Sequence, residues 1–286
     1  MSFATRFAPS PTGPLHLGHA YSALFAHDLA AAAGGRFLLR IEDIDQSRAR
    51  PEWETLIYED LTWLGLTWET PVLRQSDQMP RYSEALETLW NQGLLYPCSC
   101  NRRDILTAAT APQEGGDPLV GPDGIIYPGT CRATAPRGCG VLPEGAALRL
   151  DMAAALARLG WAEVGVPERL YTRGNALKTA PEMIETIGDI VLSRRDMGTS
   201  YHLSVVLDDA HQGVTDVVRG EDLFEASFIH VLLQGLLGLP TPRYHHHGLI
   251  RDEAGKRLAK RDDAKAIRKF REEGASPADI RAMVGL

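Results

Sequence analysis

Phe7-Ala8-Pro9-Ser10-Pro11-Thr12-Gly13-Pro14-Leu15-His16-Leu17-Gly18-His19-Ala20-Tyr21 is the stretch on which the reading of this chain turns. Pro9, Pro11 and Pro14 fix φ and remove amide donors, so the segment is a stiff loop rather than a helix or an interior strand. A helix is predicted to begin directly after it. From Leu17 the residues are mostly strong helix formers with no proline, and Gly34-Gly35 supplies the stop. Before the loop, Thr5-Arg6-Phe7 reads as a strand end. A strand, a rigid loop and a helix N-terminus make a ready site for a phosphate, because free amides and the positive end of the helix dipole point at it. His16 and His19 put two imidazoles on one side of that first turn, and Gly18 between them lets a flat group such as a nucleobase approach the backbone. In isolation such a pair reads equally well as two satisfied histidines at a helix start.

Outward from this loop the pattern is α/β. Arg36 to Ile41 is a short apolar run, the second strand of a βαβ unit, and Glu42-Asp43-Ile44-Asp45 follows it. Ligands in open α/β sheets bind beyond the carboxyl ends of strands, so Glu42 should face the same crevice as the histidines, whereas Asp43 and Asp45 also fit a solvated acidic turn. Helices are expected over Pro51 to Leu64 and Met79 to Asn91, with their aromatic residues in the core. Residues 188–193 and 200–209 read as strands returning the chain to the sheet, Val214 to Gly220 as a third, and Glu221 to Leu237 as a helix. Asp151 to Pro181 yields only a connecting region.

With 286 residues, 44% of them hydrophobic, the chain can bury one large core or two modest ones. The net charge of −7 argues against nonspecific coating of nucleic acid but leaves room for a shaped RNA held by a local basic patch. No apolar run approaches a membrane span and no apolar signal region opens the chain, so a cytoplasmic location and no membrane partner are expected. Cys98, Cys100, Cys131 and Cys139 cluster in a Gly- and Pro-rich segment that reads as an insertion, and in a cytosolic chain they suggest a metal before a disulfide. Zinc takes about four ligands in a tetrahedron. On chemistry alone Cys139 is a better fourth donor than a tyrosine, whose phenol must first lose its proton.

The run Pro-Ser-Pro-Thr-Gly-Pro-Leu-His-Leu-Gly-His resembles the HIGH signature of class I aminoacyl-tRNA synthetases in its glutamyl and glutaminyl form. The resemblance implies an α/β fold, a class I Rossmann-type catalytic domain over 1–95 and 186–286, with an inserted zinc-binding, acceptor-like subdomain over 96–185. It implies that His16, Gly18 and His19 bind ATP and that the two histidines stabilise its α-phosphate. Arg6, Ala8, Ser10, Glu42, Tyr201 and Arg219 match the glutamate pocket, with Glu42 taking the ammonium group and the arginines a carboxylate. Taken alone, Arg219 also fits a surface ion pair with Glu221 or Asp222. Gly255 to Arg261 resembles the second class I signature, KMSKS; Lys260 matches its triphosphate-contacting lysine, and Ala259 departs from the family's serine. Cys-x-Cys followed by Tyr-x3-Cys is similar to the zinc pattern of the glutamyl-Q tRNA(Asp) synthetase family, which implies Cys98, Cys100, Tyr127 and Cys131 around a structural zinc.

Only 26 residues (286 − 260) follow Lys260, so no anticodon-binding domain is expected. The resemblance then implies activation of glutamate with ATP and magnesium, and transfer of the glutamyl group to queuosine in the anticodon of tRNA(Asp), by a protein expected to be monomeric. Two other enzyme readings compete: a truncated glutamyl-tRNA synthetase charging the 3′ end of a tRNA, and a nucleotidyltransferase of the His-x-Gly-His type. A non-enzymatic tRNA-binding or zinc-dependent module is a third.

Overall fold

The computed structural model describes residues 2–110, 118–138, 140–170, 176–250 and 265–286. Its first half alternates strand and helix as the sequence pattern requires: β1 (Ala4–Phe7), α1 (Leu17–Ala32), β2 (Arg36–Ile41), α2 (Pro51–Trp63) and β3 (Glu69–Arg74). The three strands are parallel in the order β1-β2-β3, with Ala4 paired to Arg36 and Leu38 to Glu69. Pro51 starts α2, where its missing N–H costs nothing. Next come α3 (Met79–Asn91) and β4 (Leu95–Cys98). Tyr82, Leu86, Leu89 and Trp90 of α3 are buried, as expected of core aromatics and leucines.

The segment that follows has more regular structure than its sequence suggests. It contains α4 (Arg102–Ala109), the two-residue strands β5 (Val120–Gly121) and β6 (Gly124–Ile125), then β7 (Ala147–Leu150) and α5 (Met152–Leu159). β8 (Glu163–Gly165), β9 (Leu177–Thr179) and α6 (Ala180–Thr186) complete it. The strand β10 (Val191–Ser193), expected to rejoin the parallel sheet, instead pairs antiparallel with β7, which pairs antiparallel with β4 on its other side. Pairing at both edges of β7 ties the start and end of the segment together.

A second correction concerns 200–209. This is not a strand but the front of helix α7 (Tyr201–Gln212), capped by Ser200 at one end and by Gly213 in the left-handed region (φ 67°) at the other. Every residue from His202 to Asp209 is buried. A helix buried on all sides loses its amphipathic period, and Leu203-Ser204-Val205-Val206-Leu207 then cannot be told from a strand by pattern alone.

The chain continues through β11 (Asp216–Gly220), α8 (Phe224–Leu237) and β12 (Arg243–His247), a βαβ unit with parallel strands in which Asp216 pairs with Arg243 and Gly220 with His247. β11 lies beside β1, where the Thr215 N–H donates to the Ala4 carbonyl at 2.9 Å. The parallel strands therefore run in the order β3-β2-β1-β11-β12. The order reverses between β1 and β11, the point at which doubly wound sheets open a crevice for ligands. Two short helices, α9 (Ile267–Glu272) and α10 (Pro277–Val284), close the chain against α1, pinned by Arg281 to Asp28 at 2.7 and 2.9 Å.

A buried ion cluster joins the two halves. Asp209 on α7 accepts from Arg6 Nε on β1 at 3.0 Å and from Arg40 on β2 at 2.7 Å, and all three side chains are almost fully enclosed. Burial works against the charge of Arg40, but Asp209, Glu42 and Asp208 outweigh it and hold its pKa above the ordinary value. Burial likewise opposes the charge of Asp209, yet Arg6 and Arg40 keep its pKa below the usual carboxylate range. A depressed carboxylate contributes stability that is present above its unfolded value, about 3.9, and is lost as pH falls through the folded value. Asp209→Ala strips buried Arg6 of its carboxylate and leaves Arg40 with only Glu42 and Asp208, so a loss of about 3–5 kcal/mol in urea unfolding at pH 7 is expected, shrinking below pH 4; a loss under 1 kcal/mol at pH 7 would contradict this role.

Candidate active site

The loop between β1 and α1 carries its histidines as the helix cap itself. His16 is the N-cap of α1: its Nδ1 accepts the Gly18 N–H at 3.1 Å, while its own N–H donates to Nδ1 of His19 at 3.2 Å. Because each Nδ1 accepts, each neutral ring keeps its proton on Nε2, where it is a donor. The ring centroids are 3.8 Å apart. Two imidazole donors at the positive end of a 16-residue helix make a platform for an anionic group. The chain after residue 264 is tied to the same loop, since the Ile267 N–H donates to the Leu15 carbonyl at 2.8 Å and Ala266 bridges His16.

Beyond this platform lies a cavity of about 400 Å³ lined by residues from five places in the chain. Ala8, Ser10 and Thr12 come from the loop, His19 from α1, Glu42 and Asp45 from the end of β2 and Tyr201 from the start of α7, with Gln75 after β3 as a further contributor. Five of the residues expected to bind substrate or nucleotide thus share one cavity: Ala8, Ser10, His19, Glu42 and Tyr201. Its size is that of a small-metabolite site. A second cavity of about 250 Å³, lined by Asp123, Arg194, Ser200 and His202 among others, adjoins it through Ile44, Asp45 and Tyr201.

Arg6 and Arg219 are buried next to the lining residues, Arg219 within hydrogen-bonding reach of Tyr201. Arg6 is bound to Asp209. Arg219 is 5% exposed, which removes the alternative of a surface ion pair. Its Nε donates to His246 Nε2 at 3.1 Å, one terminal nitrogen meets His230 Nδ1 at 3.0 Å, and the other donates to Ser227 Oγ. Burial raises the Tyr201 phenol above its ordinary pKa, against the pull of the nearby Arg219. Asp43 turns out to be structural: it is buried and accepts the Ser76 N–H at 2.8 Å. Lys260, Ala259 and Cys139 lie outside the described residues.

Sequence reasoning missed Arg40, Asp208 and Asp209. The adjacent carboxylates lay inside what was read as a strand; the Ser200 and Gly213 caps were the available signal. It also missed Glu168, His230 and His246, which surround Arg219.

Cys98, Cys100 and Cys131 bring their sulfurs within 4.8 Å of one another, and the Tyr127 hydroxyl is 3.5 Å from both Cys98 and Cys100. Around a tetrahedral zinc with Zn–S of about 2.3 Å and Zn–O of about 2.0 Å, sulfurs stand roughly 3.8 Å apart and sulfur and oxygen roughly 3.5 Å. The Cys100–Cys131 separation is 3.6 Å. The Cys131 N–H donates to the Tyr127 oxygen at 2.8 Å, so the phenol is held as an acceptor. The donor set fits zinc. Without an ion, burial and the three thiols hold the phenol well above its ordinary pKa. Burial alone would also raise the Cys131 thiol, but hydrogen bonds with Tyr127, Ser99 and Cys100 bring it down to about 6.

The model of the catalytic domain of tRNA synthetases class I (E and Q) matches residues 2–115 and 148–286. A curated relative, Glutamyl-Q tRNA(Asp) synthetase of Rhodobacter capsulatus, is 65% identical over 284 residues, covering 99% of both chains. Among solved structures, a glutamate tRNA ligase from Elizabethkingia meningosepticum in complex with its amino acid aligns with a TM-score of 0.77 at 27% identity. The alignment covers 99% of this chain, which spans 60% of the length of that ligase. Methionyl-tRNA synthetase of Mycobacterium tuberculosis shares the fold, with a TM-score of 0.61 at 11% identity.

Glu42 offers a direct test of the cavity's electrostatics. Burial pushes its carboxyl up further than Arg40 and Arg6 pull it down. A raised carboxyl contributes stability that is present below its unfolded value, about 4.3, and is lost as pH rises through the folded value. At pH 7 the empty site therefore holds a destabilising charge. Glu42→Gln is expected to raise the Tm of the ligand-free protein at pH 7, by about 2–4 °C per kcal/mol relieved, with the gain vanishing toward pH 4; a lower Tm at pH 7 contradicts the assignment.

Proposed function

The chain belongs to the class I tRNA synthetases of the glutamate and glutamine type, and from that we propose that it activates glutamate with ATP and passes the glutamyl group to queuosine in the anticodon of tRNA(Asp). The observation that carries the first step is the single cavity shared by His19, Glu42 and Tyr201. Glu42 receives the substrate ammonium, which adds to the charge that Arg40 and Arg6 supply only in part. Tyr201, with Arg219 behind it, faces the side-chain carboxylate and disfavours glutamine, whose amide would leave cationic donors poorly paired.

Held in this way, the α-carboxylate points toward the first turn of α1. One of its oxygens bonds to the α-phosphorus of ATP while the bond from that phosphorus to the bridging oxygen breaks and pyrophosphate leaves. His16 and His19 donate through Nε2 to the α-phosphate as charge shifts onto its oxygens, a stabilisation made without reorganisation. Lys260 is assigned to the β- and γ-phosphates by the resemblance of its motif. Magnesium bound with ATP would spread the charge of the triphosphate. Cys98, Cys100, Cys131 and Tyr127 would hold a structural zinc, which would cross-link β4 to the loop after β6 and supply the charge that lets the phenol ionise. The second step, in which a hydroxyl of queuosine attacks the adenylate carbonyl and AMP departs, is supported by the relative's name and by the resemblance.

Incubation with radiolabelled glutamate, ATP and tRNA(Asp) with or without queuosine should label only the queuosine-containing tRNA, and the label should survive removal of the 3′ nucleotide. Labelling that ignores queuosine would instead favour charging of the 3′ end. His19→Ala should lower glutamate-dependent exchange of pyrophosphate into ATP by at least about tenfold. Elemental analysis should find about one zinc per chain, lost in Cys131→Ser and diminished in Tyr127→Phe; full zinc in both variants rules out this ligand set.

A further inference from the structure

Arg219 is gripped by two imidazoles, and each is backed by a carboxylate from the segment between β4 and β10. On one side, Arg219 Nε donates to His246 Nε2 at 3.1 Å. A guanidinium has no acceptor, so Nε2 must be bare and the His246 proton must sit on Nδ1. That Nδ1 faces Glu168 Oε2 in a short contact, with the His246 ring fully enclosed and the Glu168 side chain 4% exposed. Glu168 is itself fixed: its Oε1 accepts the Leu170 N–H at 2.8 Å and the His246 N–H at 3.2 Å, and its backbone bridges Tyr244 on the edge of β12. On the other side, Arg219 meets His230 Nδ1 at 3.0 Å, His230 Nε2 meets His202 Nδ1 at 3.1 Å, and His202 Nε2 faces Asp123 Oδ1 at 3.7 Å. Both rings that receive Arg219 are kept neutral by burial and by the guanidinium itself, in His246 against the pull of Glu168.

We propose that Glu168 is a positioning residue for substrate recognition: by locking His246 in the Nδ1–H form, it holds the Arg219 guanidinium in the orientation that captures the glutamate side chain. The bonds to His246, His230 and Ser227 commit one N–H on each of the three guanidinium nitrogens. The remaining N–H groups of the terminal nitrogens face Tyr201, with which Arg219 also interacts, and are the donors that a substrate carboxylate at Tyr201 would meet. The inference rests on the proposed role of Arg219 in binding glutamate. It assigns work to a stretch, Asp151 to Pro181, in which the sequence showed only a connection.

Glu168→Gln is the discriminating change because it is isosteric. Two backbone N–H groups require the amide oxygen at the Oε1 position, so the amide NH2 falls at Oε2 and faces His246 Nδ1. The ring must then move its proton to Nε2, where it confronts the Arg219 Nε–H. In glutamate-dependent pyrophosphate exchange the variant should raise KM for glutamate by about tenfold or more, with KM for ATP within about twofold. Nitrogen-15 NMR of labelled histidines should find His246 protonated on Nδ1 in the wild type and on Nε2 in the variant. As an independent pair, His246→Gln, which keeps an acceptor toward Arg219, should lose less glutamate affinity than His246→Leu, which keeps none. A wild-type His246 protonated on Nε2, an unchanged KM for glutamate in Glu168→Gln, or equal losses in the His246 pair would overturn the proposal. Absence of any glutamate-dependent exchange in the wild type would instead sink the functional reading, and the NMR comparison would still decide whether Glu168 sets the tautomer facing Arg219.

Discussion

Asp209 is bound by two arginines from two different strands, and the site depends on that arrangement. Arg6 rises from β1 and Arg40 from β2, and neither is solvated. In the low dielectric between sheet and helix, each guanidinium requires a carboxylate and the carboxylate requires both. The register of α7 against the sheet is fixed in consequence, because a shift of one residue would replace Asp209 by an alanine or by Asp208, which is already engaged with Gln75, Tyr82 and Arg81. Tyr201 begins the same helix. Its place in the cavity is therefore set by a charge cluster two turns away, and Glu42 beside Arg40 is set by the same cluster from the sheet side.

Polar order also runs between the layers. The segment between β4 and β10 shares one apolar cluster with α3, α7 and α8, in which Leu150, Met183, Leu203 and Phe228 are fully buried. The same segment reaches Arg219 through Glu168, and Arg149 stacks over the Tyr127 ring at 3.8 Å while binding the Asp189 carbonyl. The cysteine cluster and the cavity thus belong to one packed body, although none of Cys98, Cys100, Tyr127 and Cys131 lines that cavity.

Legibility followed the length scale of each signal. The β1–α1 loop was readable because its prolines, glycine and histidines act locally: the helix starts at Leu17 as expected, and His19 lines the cavity. α2, α3, β11 and α8 were readable from period and caps. α7 was not, because burial on every side erased its period. Arg219 was singled out by the resemblance but its keepers were not, since Glu168, His230 and His246 become neighbours only when β12, α8 and a loop 78 residues upstream of His246 meet. The antiparallel pairing of β10 with β7 was hidden for a related reason: three-residue strands carry too little alternation to announce a partner. The Cys-x-Cys and Tyr-x3-Cys spacing was local enough to identify the cluster, and only the three-dimensional distances made the phenol a fitting fourth donor.

The separation along the chain between Arg6 and Asp209, 203 residues, has a consequence for how the molecule comes into being. On a ribosome the first three strands emerge long before α7, and until then Arg6 and Arg40 have no Asp209 to accept from them. A sheet holding two central cations with only Glu42 between them is a poor template for early collapse, so β1 and β2 are not expected to reach their final packing while the chain is half made. The nascent N-terminal half must wait open, with Leu38 and Ile41 exposed, for a helix encoded two thirds of the way along. Tyr201, which completes the cavity, arrives only with that helix.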